Sequence, residues 1–109
     1  MNDVVEVIVT GPPDFMQKLV ETLIGERLIA CGQLAPIMST YRWQGAVENA
    51  TEVRAILHTT RECSDLVMRR IQEEHPYEVP CILISPVMAG NSRYLAWVAQ
   101  ETHKGPSSS

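Results

Sequence analysis

Glu74-His75-Pro76-Tyr77-Glu78-Val79-Pro80 decides how this chain is read, because it joins a charged segment of helical period to an apolar run of strand length. Pro76 disfavours the α region for His75 and removes a backbone donor, so a helix spanning Ser64 to Glu74 ends here. Pro80 is tolerated only at the start of a strand or on an edge, so Val79 to Val87 reads as a strand leaving the bend. His75 is thereby placed at a helix C-terminus, where the dipole attracts positive charge. An imidazole, two carboxylates and a phenol crowd around two prolines, and no other stretch combines a rigid bend with such ligand-capable side chains.

Upstream, Val4 to Val9 is β-branched and reads as a strand buried on at least one face. Thr10-Gly11-Pro12-Pro13-Asp14 breaks it, and Asp14 with Gln17 resembles a capping box that opens a helix. Met16, Leu19, Val20, Leu23, Ile24 and Leu28 then recur at helical steps and form one apolar face. Cys31 falls in the turn that follows. Gln33 to Trp43 reads as a strand, irregular or at an edge near Pro36, with Ile37, Ser39, Tyr41 and Trp43 on one face. Gln44-Gly45 signals a hairpin turn. Val47 to Thr60 is its second strand, with Val53, Ala55 and Leu57 opposite Glu52, Arg54, Ile56 and His58. Beyond Gly90-Asn91, Ser92 to Thr102 reads as a terminal helix with Leu95, Val98 and Ala99 inward and Tyr94 and Trp97 adding large apolar areas. Residues 1–104 are one domain by this reading, and 105–109 are a disordered tail by composition.

Strand-helix-strand-strand-helix-strand plus a helix is the split βαβ order of an α+β fold. It predicts an antiparallel four-stranded sheet with both main helices on one face. The second face is then bare, and the hairpin is longer than so small a sheet covers. Both features predict self-association over Tyr41 and Trp43. A net charge of -4 without a Lys/Arg cluster excludes a nucleic-acid partner. No basic leader and no run near ~18 apolar residues is present, so no membrane partner is expected. Cys31, Cys63 and Cys81 form no C-x-x-C and read as small buried residues in a reduced, cytoplasmic setting.

Glu26-Arg27-Leu28-Ile29-Ala30-Cys31, Tyr41-Arg42-Trp43-Gln44-Gly45, His75-Pro76-Tyr77-Glu78-Val79-Pro80 and Gly90-Asn91-Ser92-Arg93-Tyr94-Leu95-Ala96-Trp97 occur in the order and spacing of the CutA divalent-cation-tolerance proteins. The resemblance runs from Val4 to about Thr102. It implies a ferredoxin-like sandwich, a PII-like homotrimer with clefts between subunits, and a role in the response to copper and other divalent metals. The family's proposed copper ligands fall here on Val9, Glu74 and His75. Val9 is no ligand and Glu74 is a hard oxygen donor, so the implied copper or zinc site is weak and centres on His75. His58 stands where many members carry a lysine.

The inter-subunit cleft and interface are expected from Tyr41, Trp43, Glu52, His58, Tyr77, Tyr94 and Trp97. The functional reading is a metal-responsive or metal-binding trimer. The alternative is a PII-like sensor or scaffold with a small anionic ligand in its clefts. His75 as a helix-capping imidazole competes with His75 as a ligand. Glu52, Arg54 and His58 are either a solvated face or a cleft wall. No motif ties a base to Cys31, and no phosphate loop or full ligand set is present, so an enzyme is not expected.

Overall fold

The computed structural model describes residues 2–103 and runs β1 (Val4–Gly11), α1 (Pro13–Gly25), β2 (Cys31–Trp43), β3 (Ala46–Thr60), α2 (Arg61–Glu74), β4 (Ile82–Pro86) and α3 (Ser92–Glu101). The tail expected at 105–109 lies outside the described residues. The strands form one four-stranded sheet in the order β2-β3-β1-β4, and each neighbouring pair is antiparallel. This is the ferredoxin-like α+β arrangement.

Alternation along β1 and β3 turns Val5, Val7, Val9, Ala55 and Leu57 toward α1 and α2, where Met16, Leu19, Val20, Leu23, Val67 and Ile71 complete the core. Fully burying each of the larger side chains stabilises by about 1.5–3 kcal/mol. Ile24, on the edge of the apolar stripe, stays exposed.

A Schellman turn ends α1: Leu28 N–H donates to the Leu23 carbonyl and Arg27 N–H to that of Ile24, both at 3.0 Å. Arg27 takes the left-handed position with φ 62°. The buried Thr59 hydroxyl then donates to the Leu28 carbonyl at 2.6 Å and ties this turn to the middle of the sheet.

Several boundaries differ from those the sequence predicts. α1 opens at Pro13, behind Pro12 and without a side-chain cap, because proline at the first helical position forfeits no hydrogen bond; Asp14 is not the cap. Cys31 begins β2 and is not in a turn. α2 starts at Arg61, where the Thr60 hydroxyl accepts from Cys63 N–H at 3.4 Å. β4 is only Ile82–Pro86, since Pro80 has no donor and the β1 ladder ends at Val9 opposite Ile82. Among the cysteines, Cys63 is buried, Cys31 is half-buried and Cys81 is exposed.

The second sheet face is not bare. α3 lies against it, burying Val98 and reaching His58 through Tyr94. The hairpin does protrude. β1 pairs with β3 only from Val53 to Thr60, whereas β2 continues along β3 to Trp43 opposite Ala46. Gln44 and Gly45, at φ 50° and 84°, close the turn in the left-handed conformation that a two-residue hairpin requires.

Thr59→Val should keep the shape of the core and strand the Leu28 carbonyl. A loss of about 1–3 kcal/mol is expected in chemical denaturation. An unchanged midpoint would show that this hydrogen bond does not hold β3 to the end of α1.

Candidate functional site

His75 is the C-cap of α2, with extended backbone at φ -66° and ψ 133°. Its ring faces back toward the end of β1. Nε2 lies 2.8 Å from the Thr10 carbonyl, and Nδ1 accepts from Tyr77 N–H at 3.1 Å. A carbonyl only accepts, so Nε2 carries the proton and the neutral ring has both nitrogens engaged. Phe15 packs edge-on against the ring with centroids 4.9 Å apart. A Cβ on Gly11 would stand 2.9 Å from Nε2. Only a residue without a side chain lets the imidazole approach the strand this closely.

The bend next directs Tyr77 at β3. Its hydroxyl donates to Glu52 at 2.8 Å, and Glu52 is 5% exposed. Burial first, then the hydrogen bond to Glu52 and that carboxylate's charge, push the Tyr77 phenol from 10.0 up to about 12. Glu74 turns another way and bonds Arg70 at 3.1 Å, while Arg70 also holds Glu26 at 2.7 Å.

These commitments do not fit a copper or zinc site. The imidazole has no free lone pair, Glu74 is paired with a cation, and Val9 lies in the core. Among the described residues no three His, Cys, Asp or Glu side chains are grouped to hold a metal. His75 does stand at the helix C-cap, but its ring bonds the Thr10 carbonyl and the Tyr77 N–H and not the terminal carbonyls of α2.

The residues predicted for a cleft fall into separate groups. Glu52 and Tyr77 meet beside the bend, with Tyr41 close enough to influence the phenol. Trp43 stands further out, at the hairpin end. His58 is roughly 20 Å along β3 from Glu52, at about 3.4 Å per residue. There it bonds Tyr94 Oη through Nδ1 at 2.7 Å and Glu6 through Nε2 at 2.9 Å. Tyr94 in turn stacks near Trp97, with centroids 5.6 Å apart. Glu6 was missed by the sequence reading. The signal was present, since a lone carboxylate in a β-branched strand marks the face turned away from the core.

The CutA1 divalent ion tolerance protein family model matches residues 5–101. The divalent-cation tolerance protein CutA of Pyrococcus horikoshii is 41% identical over 100 residues, which cover 90% of this chain and 98% of that one. The crystal structure of CutA1 from Pyrococcus horikoshii is similar with TM-score 0.87 at 40% identity, over 92% of this chain and 99% of that chain. The PII-like protein CutA from Nostoc sp. PCC 7120 is similar with TM-score 0.88 at 30% identity, over 91% and 97%.

Tyr77 gives the bend a test in alkali. The unfolded phenol ionises near 10.0 while the folded one keeps its proton to about 12. Its contribution to stability is therefore complete below pH 10 and lost as pH rises toward 12. Denaturation midpoints across that window should fall less in Tyr77→Phe than in the wild type. Equal falls would show that Tyr77 ionises as freely in the folded chain as in the unfolded one.

Proposed function

This chain belongs to the CutA1 divalent ion tolerance family, and on that premise we propose that it acts in divalent cation tolerance as a homotrimer, neither an enzyme nor a tight metal chelator. The observation that carries the reading is the outer hairpin. From Ile37 opposite Glu52 to Trp43 opposite Ala46, β2 and β3 have no other strand beside them among the described residues. A two-stranded ribbon is marginal alone in water. This one leaves Met38 83%, Val47 60% and Trp43 40% exposed. Apolar surface of this kind calls for a partner, and further copies of the same chain are the occupant that the PII-like relative from Nostoc supports.

Divalent ions are not held tightly at Glu74 and His75 in this reading. A metal there would displace the Tyr77 N–H or the Thr10 carbonyl from the imidazole and draw Glu74 off Arg70. A second reading gives the clefts between copies a small anionic ligand. It is supported by the likeness to the PII-like protein and by the exposed Arg54 on the face that carries Glu52 and His58.

Light scattering on the purified protein should return about three times the chain mass, and Trp43→Ala should weaken assembly by about 2 kcal/mol or more. A monodisperse monomer at micromolar concentration would remove the basis of the proposal. Calorimetric titration of copper and zinc should show no site tighter than about 1 μM, with any weak signal lost in His75→Ala. A nanomolar site lost in His75→Ala would overturn this account of His75, and one that survives would place tight metal binding elsewhere on the chain and overturn the proposal that it is no tight chelator.

A further inference from the structure

We propose that the groove between the segment at Asn2, the start of α2 and the face of α3 binds a linear aliphatic polyamine. It lies apart from the bend at His75, and the inference rests neither on the proposed assembly nor on metal tolerance. The β1–β3 ladder fixes its place. Val4 opposite Thr60 is the end of that ladder that borders the groove, and Gly11 opposite Val53 is the end from which the hairpin projects. At about 3.4 Å per residue, roughly 24 Å of strand separates the two ends.

The walls are held by hydrogen bonds that leave the space between them open. The Asn2 side chain donates to the Val87 carbonyl at 3.2 Å and accepts from Val4 N–H at 2.8 Å, which pins this segment beside the end of β4. Arg61 N–H donates to the Asp3 carbonyl at 2.7 Å and joins the same segment to the first turn of α2. On the α3 side, His103 N–H donates to the Arg27 carbonyl at 3.0 Å and anchors the end of the helix. The groove has a volume of about 650 Å³. Small-molecule sites fall at about 300–1,000 Å³.

Its lining divides into an apolar floor and an acidic rim. Val4 is buried, Leu95 is half-buried, and Ala96 and Ala99 follow one another on α3 at a helical step. Such a floor accommodates methylene groups and gives nothing to a hydrated ion. Asp3 and Glu62 are exposed at its edge, and the bond from Arg61 N–H to the Asp3 carbonyl brings them to one rim. Neither carboxylate is paired with a cation among the described residues. The described lining contains no lysine or arginine either. An anionic or neutral ligand leaves both charges unanswered, whereas an ammonium group forms charge-assisted hydrogen bonds with them. The Ser92 hydroxyl and the His103 imidazole add acceptors for a second ammonium.

A bare divalent ion does not fit the same arrangement. Cys63 and His103 also line the groove, yet among the described residues no three His, Cys, Asp or Glu side chains are grouped to hold a metal. The positive charge that suits this site is therefore spread along an apolar body, as in amines joined by methylene chains.

The test titrates spermidine into the full chain at about 0.01 M salt, where exposed charges are least screened, and follows amide NMR signals. The signals of Ala89, Gly90, Ala96 and Ala99 should move together with a midpoint of about 0.1–1 mM, because exposed ion pairs are individually weak. Asp3→Asn combined with Glu62→Gln should raise the midpoint about tenfold. The control removes two exposed carboxylates outside the groove, Glu21→Gln with Glu73→Gln, and should leave the midpoint unchanged. Ala96→Leu keeps both charges and fills the floor, so it should weaken binding about fourfold for each methylene displaced. It also decides the matter if the acidic pair proves necessary for folding. An equal loss in the control pair would reveal only diffuse attraction to a chain of net charge -4 and overturn the proposal. Signals that move outside the groove, the same shifts at the same midpoint with magnesium chloride, or an unchanged midpoint in Ala96→Leu would overturn it as well.

Discussion

The register between β1 and β3 is the constraint on which the rest of the structure depends. Val4 opposite Thr60 through Gly11 opposite Val53 sets which side of every residue in both strands meets the helices. A slip by one residue would turn Val5, Val7 and Val9 outward and carry Glu6 inward, because side chains alternate with a period of two. Burying an unpaired carboxylate adds a large desolvation penalty to the lost apolar burial. The same register puts Glu6 directly opposite His58, and the β2–β3 ladder puts Cys31 opposite that histidine from the other side. The core and the polar row behind it are two consequences of one alignment.

Much of this was legible because alternation and helical period are local signals. The valines of β1, the stripe from Met16 to Leu23 and the turn at Gln44-Gly45 each announce their element within a short window. The boundaries were less legible where tertiary contacts outweigh local signals. Asp14 had the spacing of a capping box, yet Pro12-Pro13 had already started the helix. Arg61 and Glu62 hid the first turn of α2, since their exposed charges break the apolar pattern before the buried Cys63. Val79 to Cys81 has the composition of a strand, but the sheet offers it no ladder beyond Ile82.

The bend at His75 was visible from its prolines, and its chemistry was not. What the imidazole does depends on Thr10, 65 positions away in sequence, and on a glycine whose missing side chain admits the ring. A sequence shows which groups a histidine carries and leaves their partners unspecified. With both nitrogens engaged, His75 works as a clasp joining the end of α2 to the end of β1, and Tyr77 extends that clasp to Glu52. The position of α3 was hidden for a similar reason. Element order assigns a face to the two crossover helices, whereas the third is placed by Val98 and by the Tyr94 contact with His58.

β3 links this rigid core to the exposed surface. Its inner part is held on both sides, and its outer part continues without a break into the two-stranded ribbon. Parity carries over along the strand, so Tyr41 opposite Glu48 and Trp43 opposite Ala46 emerge on the face that bears His58. The ribbon cannot change which side presents its aromatics without disturbing the valines and leucines of the core. A surface set in this way enters an association with its orientation already fixed and loses less freedom than a flexible loop would. In the proposed assembly the hairpin is therefore a preorganised contact, and its alignment comes from the buried end of the same strand.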